Sequence, residues 1–209
     1  IGWLYQFYIS ERKDEVFAKK GKFEADEIPA ATQIFTPNWI VKYMVQNTVG
    51  RIYLDNNPYT TLAYKEKWQY LVEPAEPTPA KAILHYNELT DLKVADLACG
   101  SGHILNECFD LLYDLYITEG YTRVEAITHI FQDNLTGIDL DPRAQQLSLF
   151  ALTLKACQRE HSFADAHCLP RVLTMPKVPL PLPTDTRLAV EIDAANILLK
   201  DADSLGSIM

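Results

Sequence analysis

Residues 92–118 read LKVADLACGSGHILNECFDLLYDLYIT, and the join between their two halves decides the fold. The first half, 92–98, is a short apolar run bounded by a glycine turn and is predicted as a strand. The second half, 102–118, places Ile104, Leu105, Cys108, Leu111, Leu112 and Leu115 at helical spacing, and Gly120 closes it. Between them lies Cys99-Gly100-Ser101-Gly102. Gly100 and Gly102 permit backbone angles and a close approach that a β-carbon forbids. A helix opening near Gly102 offers unpaired N–H groups and the positive end of its dipole, which suits a carboxylate or a phosphate. Open α/β sheets bind ligands at this place, beyond the carboxyl end of a strand. The turn is not a dinucleotide fingerprint, because Leu105 stands where a third glycine belongs, and no Gly-Lys-Ser/Thr makes it a P-loop.

Downstream, Thr122 caps a helix through Phe131, and 134–139 (NLTGID) reads as a second strand. Asp141-Pro142 opens a helix to about Arg159, with Ala144, Leu147, Phe150, Ala151 and Leu154 on one face. A strand is possible over 172–174, and 176–185 holds too many prolines for helix or central strand. Residues 196–199 (NILL) read as a third core strand. Strands alternating with helices from 92 to 199 predict a parallel sheet in an α/β fold.

Upstream, 3–20 reads as an amphipathic helix stopped near Gly21. Trp3, Tyr5, Phe7 and Tyr8 are expected in core or interface rather than as a base-stacking set. Thr36 as N-cap and Pro37 at the first helical position open a helix over 37–49. Its buried stripe is Ile40, Val41, Met44, Val45 and Val49, and Gly50 ends it. A turn over 55–60, a short helix within 61–72 and a stiff proline-rich link over 73–80 follow. The chain divides into a helical region, 1–80, and a core, 81–209.

Of the two acids after the second strand, Asp141 suits a helix cap. Asp139, at the strand tip, suits the paired hydroxyls of a ribose. The remaining composition narrows the function. There are 28 acidic and 19 basic residues, a net charge of −9, and no basic cluster. Nucleic-acid binding depends on Lys and Arg neutralising phosphates, so little DNA binding is expected of this chain. No apolar run is long enough for a membrane span. Four separated cysteines without a CxxC suggest reduced thiols and a cytoplasmic protein. Cys157, His161, His167 and Cys168 have no metal-ligand spacing, and Cys99 has no evident paired histidine, so neither a metal site nor a cysteine nucleophile is expected. His103, at the helix start, is read equally as a neighbour of a bound carboxylate or as a partly exposed first residue.

The stretch DLACGSGHIL at 96–105 resembles motif I of the adenine-specific, amino-methylating DNA methyltransferases, [D/N]-P-x-C-G-S-G-x-[F/L]-L. QIFTPNWIVKYMV at 33–45 resembles motif X, which precedes motif I in their γ arrangement. GIDLDP at 137–142 resembles motif II, and ANILLKDADSL at 195–205 resembles motif III. Within the family the pattern is most similar to the phage-defence (BREX-type) and type IIG restriction–modification enzymes. The resemblance implies a Rossmann-like core that binds S-adenosylmethionine and, in the whole enzyme, methylates N6 of adenine in double-stranded DNA. It places Phe35, Thr36 and Pro37 against the methionine part of the cofactor, and Asp96, Ala98, Gly100 and Gly102 around it. Asp139 is placed on the ribose, Ile138 and Leu140 beside the adenine, and Asp203 (or Asp201) on the adenine amino group. Leu97 departs from the usual proline.

The family's catalytic motif, [N/D/S]-P-P-[Y/F/W], is expected after motif III, and the sequence through Met209 contains none. Asn56-Asn57-Pro58-Tyr59 mimics it but precedes motif I and lacks the second proline. The expectation is a cofactor-binding fragment with no catalytic residue of its own, and with a sheet edge open to self-association. The alternatives are an NAD(P)-binding oxidoreductase domain and a non-catalytic interaction module.

Overall fold

The computed structural model describes residues 2–19, 21–24, 27, 30–31, 35–65, 68–165, 167–175, 179 and 181–199. Its centre is a parallel sheet of three strands: β1 (Val94–Asp96), β2 (Leu135–Asp139) and β3 (Arg171–Thr174), in the order β1-β2-β3. Val94 pairs with Leu135 and Asp96 with Gly137, while Thr136 pairs with Arg171 and Asp139 with Thr174. All three carboxyl ends therefore point the same way, and the loops after them share one rim.

Eight α-helices accompany the sheet among the described residues: α1 (Gly2–Ala18), α2 (Asn38–Val45), α3 (Arg51–Asn56), α4 (Leu62–Lys65), α5 (His103–Thr118), α6 (Arg123–His129), α7 (Pro142–Arg159) and α8 (Thr186–Leu199). α5 follows β1, α6 leads by a π turn (Ile130–Asn134) into β2, and α7 joins β2 to β3. Local chemistry sets these boundaries. Thr122 and Glu125 form a capping box at α6, each side chain accepting from the other residue's backbone N–H. Asp141 caps α7 by accepting from Arg143 N–H at 3.0 Å, with Pro142 in the first turn. Gly120, at φ +92°, turns the chain away from α5.

α5 is the core of the molecule. Leu105, Phe109, Leu112, Leu115 and Tyr116 are fully buried, and the helix meets α2, α6, α7 and the sheet. Val41, Val45, Val49 and Tyr53 join α5 and the sheet in one apolar cluster. The N-terminal helices therefore close the same core. Behind the sheet, the buried Asn134 donates to the carbonyls of Leu89 and Leu92 at 2.7 and 2.9 Å and accepts from Tyr116 OH at 2.8 Å.

Several expectations are corrected. Residues 196–199 lie in α8, not in a strand, and β3 is the short run 171–174. Gly50 does not end a helix: the chain passes from α2 through a π turn (Gln46–Gly50) directly into α3. Glycine is used there because the Trp68 ring lies so close that a β-carbon would meet it at 2.9 Å. Pro37, not Thr36, is the residue flanking α2, with no side-chain cap, and Met44 is exposed rather than in the buried stripe. On α7 the inward face is Ala144, Ser148, Leu152 and Ala156. Ala144 is buried as expected and Leu147 packs beside it, but Phe150 and Leu154 face outward and Ser148, Leu152 and Ala156 continue the inward line. Phe7 of α1 is exposed while Ile9 and Val16 are buried, and the side chains of Trp3, Tyr5 and Tyr8 lie outside the described residues.

Candidate cofactor site

The loop between β1 and α5 is held from three sides. Cys99 N–H donates to the Ile138 carbonyl at 2.9 Å, which carries the loop along the end of β2. Gly102 N–H donates to Cys99 O at 2.8 Å, which makes the turn tight. Gly100 N–H donates to the Asp139 carboxylate at 2.7 Å, and the other carboxylate oxygen accepts Asp141 N–H at 2.8 Å. The acid at the tip of β2 thus points at the glycine turn, and Gly100 and Asp139 meet directly across the sheet rim.

The two glycines are required for different reasons. Gly102 has φ +82°, and a β-carbon on it would run into the Ser148 hydroxyl of α7. Gly100 has φ +52°, and a β-carbon on it would meet nothing within 4 Å. Gly102 is therefore closed by packing, whereas Gly100 borders open space.

Asp96 ends β1, and its carboxylate accepts Ala98 N–H at 3.2 Å. Burial, with the charge of Asp139 added, raises its pKa above the usual aspartate value, against the pull of that N–H bond. The Cys99 thiol is pushed up to about 12 by burial and by the two carboxylates, so at neutral pH it is a packed thiol and not a nucleophile. Leu97 is exposed. Ile138, in β2, and Leu140, just after it, are partly buried on the same rim.

The segment 35–37 reaches this region from the other side. The Phe35 ring stands edge-to-face on the His103 ring, centroids 5.9 Å apart. Phe35 and Leu147 also pack on Ile9 and Ala144. Phe35, the start of α5 and the start of α7 are thereby brought together, with Thr36 and Pro37 leading into α2. Asp141 is buried in its capping role. Asp201 and Asp203 lie outside the described residues.

Asn56 and Asn57 are engaged in structural bonds. Asn56 Nδ2 donates to the carbonyls of Ile52 and Leu84, and Asn57 Nδ2 to Tyr53 O and Tyr86 OH. No group of His, Cys, Asp and Glu among the described residues is arranged to hold a metal. No helix among them is long and apolar enough to cross a membrane.

Sequence reasoning missed Ser101 and Ser148. Both are buried; the Ser101 hydroxyl has no hydrogen-bond partner among the described residues, and the Ser148 hydroxyl lies against the Cys99 thiol. Ser148, inside a helix, carries no local signal of this kind. Only the packing of α7 beneath the glycine turn shows it.

No protein-family model matches the chain. It is 50% identical over 164 residues to the adenine-specific methyltransferase BrxX of Escherichia coli O9:H4 (strain HS), covering 76% of this chain and 13% of that protein. It is 40% identical over 191 residues to the adenine-specific methyltransferase PglX of Lacticaseibacillus casei (strain Zhang), covering 87% of this chain and 16% of the relative. The type II restriction enzyme and methyltransferase RM.Eco57I of Escherichia coli is 26% identical over 178 residues. The chain spans about one-seventh of the length of the first two relatives. At these identities it belongs to the adenine-specific methyltransferase family of BrxX and PglX, as the counterpart of one segment of those proteins.

Proposed function

We propose that this chain is the S-adenosylmethionine-binding segment of an adenine-N6 DNA methyltransferase, with β1–β3 forming part of a Rossmann-like sheet. The observation that carries the reading is the Gly100 N–H bond to Asp139. It joins a glycine turn to an acid on the neighbouring strand tip, beside open space over Gly100.

The residues present suit this cofactor. Each Asp139 oxygen accepts one backbone N–H, and each retains a further lone pair for a ribose hydroxyl. Ile138 and Leu140 flank that acid as apolar walls for a purine. The segment Phe35-Thr36-Pro37 and the turn at 96–102 close around the methionine end. Asp201 or Asp203 is the proposed acceptor of the adenine amino group. When bound, S-adenosylmethionine supplies an electrophilic methyl group on a sulfonium. The described residues hold and orient it and offer no side-chain pair to orient the acceptor amine. Region 1–80 contributes the Phe35 segment, and 81–209 contributes the sheet and its loops. The family of the relatives supports DNA adenine as the acceptor, in restriction–modification or phage defence inside the cytoplasm. Methyl transfer to double-stranded DNA belongs to the whole protein.

Isothermal titration with S-adenosylmethionine and with NAD tests the reading. Binding of the former alone is expected, and Asp139→Ala weakens it about tenfold or more while the thermal transition remains. Binding of NAD alone would make the chain a dinucleotide domain. Binding of neither would leave it as an interaction module.

A further inference from the structure

At the far end of α5 from the glycine turn, a cavity of about 360 Å³ opens between the ends of α5 and α7 and the start of α6. Tyr113, Ile117, Arg123, Gln158 and Arg159 line it. With a rise of about 1.5 Å per residue, Tyr113 and Ile117 lie about 15 and 21 Å along α5 from His103. The cavity is therefore a separate place from the rim of the sheet. Its volume falls within the range of small-molecule sites, about 300–1,000 Å³.

Two guanidiniums border this cavity and no carboxylate does, in a chain whose net charge is −9. Arg159 is fixed before any ligand arrives. Its Nη2 donates to Asp110 at 3.0 Å, and its Cζ lies 4.9 Å from the centre of the Tyr113 ring, which is itself stacked on Phe109. Asp110 also holds Lys155, so one carboxylate serves two cations and does not cancel both. Asp114 acts on Arg159 through space but does not line the cavity. Arg123 is exposed, and its Nη1 donates a long bond, 3.4 Å, to the Arg159 carbonyl. The nearby Glu160 carboxylate accepts the Ser162 N–H and hydroxyl at 3.2 and 2.8 Å. A guanidinium has five N–H groups, and each of these two uses one in the bonds above, which leaves donors for a ligand oxygen. Ile117, 40% exposed, and the Tyr113 ring add an apolar wall, and the Gln158 amide a further polar group. We propose that this cavity binds a small organic anion, a carboxylate or phosphate monoester on an apolar or aromatic stem. The oxyanion lies between Arg123 and Arg159, whose forks match it, and the stem lies against Ile117 and Tyr113. The concave shape and the acidity of the whole chain favour a small anion over the backbone of a duplex.

The test titrates inorganic phosphate, phenyl phosphate, benzoate and phenol into the chain and follows the arginine side-chain N–H signals by NMR. Saturable binding of phenyl phosphate or benzoate is expected, about tenfold tighter than inorganic phosphate, with the Arg123 and Arg159 signals shifting most. Whichever of the two binds more tightly names the oxyanion. Arg123→Gln alters an exposed side chain and is expected to weaken that binding about tenfold while the thermal transition remains. Arg159→Lys keeps the charge but loses the fork and the ring contact, and weakens it as well. Arg187→Gln, on an exposed arginine of α8, leaves it unchanged. Binding that does not saturate overturns the proposal, and so does phenol binding as tightly as the anions. Equal losses in Arg123→Gln and Arg187→Gln overturn it by showing diffuse attraction to surface cations. Displacement of phenyl phosphate by S-adenosylmethionine overturns it by merging the cavity with the cofactor site. A chain that binds the anion and not S-adenosylmethionine keeps this site and loses the cofactor assignment.

Discussion

Gly100 and Gly102 sit two residues apart in the same turn, both at positive φ, yet a β-carbon on each meets different surroundings. Gly102→Ala combines left-handed strain with a collision against Ser148. It is expected to destabilise the fold by about 2–5 kcal/mol, the sum of the αL penalty and an overpacking term. Gly100→Ala pays only the αL penalty, about 1–2 kcal/mol, because its β-carbon enters open space. That space is where the proposed cofactor lies, so Gly100→Ala loses ligand affinity far beyond its modest loss of stability. Denaturant titration beside calorimetric binding separates the two. Pairing Gly102→Ala with Ser148→Gly removes the collision and returns part of the loss, and failure to recover would place the strain elsewhere. The glycines and Asp139 were legible as residues because their demands are local: a positive φ, a strand tip, an acid of the right kind. Ser148 was not. Its role depends on α7 crossing beneath a turn 46 residues earlier in the sequence, and no local pattern encodes such a crossing.

At the level of elements, the boundaries set by caps and turn residues were readable: α5 after the glycine turn, α6 from Thr122, α7 from Asp141-Pro142. The run Asn196–Leu199 was not, since four apolar residues fit a strand or a helical turn equally and only length decides. Phase was equally elusive on α7. Its buried line uses two alanines and a serine, while the large apolar residues Phe150 and Leu154 face out. Small residues let α7 approach the turn and α5 closely, and hydrophobicity alone points to the opposite face. The placement of β1 beside β2 depends on a residue with no apolar signal, Asn134. Its amide joins the 3₁₀ turn before β1 (Leu89–Asp91) to the start of β2, and its carbonyl accepts from Tyr116 of α5. Asn134→Ala removes the amide donor from the Leu89 and Leu92 carbonyls, of which Leu89 O keeps the Leu92 N–H, and leaves the buried Tyr116 hydroxyl without its acceptor; it is expected to cost about 2–3 kcal/mol. Tyr116→Phe costs about 1 kcal/mol in the parent and less in the Asn134→Ala background. Urea unfolding of the four proteins measures that coupling, and strict additivity would mean the two side chains do not share a bond in solution.

For the whole molecule, charge determines what it can grip. The net charge is −9, and many of its cations are already engaged. Lys155 and Arg159 hold Asp110 between α5 and α7, Lys19 holds the buried Glu27, Arg12 pairs with Glu15, and Arg143 pairs with Asp141. Arg159 also lies over the Tyr113 ring, and Arg171 donates to Gln132 O. Lys155 and Arg159 fasten α7 to α5, while Arg12 and Arg143 pair within their own helix or its cap. DNA affinity without sequence preference comes from phosphates neutralised by Lys and Arg and from the counterions this releases. The chain meets a duplex with an acidic surface, so long-range steering opposes the encounter. Binding of S-adenosylmethionine, a small ligand held by short contacts at a strand rim, carries no such penalty. The two affinities are therefore expected to separate. At about 0.15 M salt, where screening acts beyond roughly 8 Å, the chain binds the cofactor and does not retard a 30-base-pair duplex in a gel-shift assay. Lowering the salt does not rescue the shift, because repulsion strengthens as screening weakens. A retarded band that grows at low salt would reveal a cationic face on the folded chain, and would assign DNA contact to this segment as well as the methyl donor.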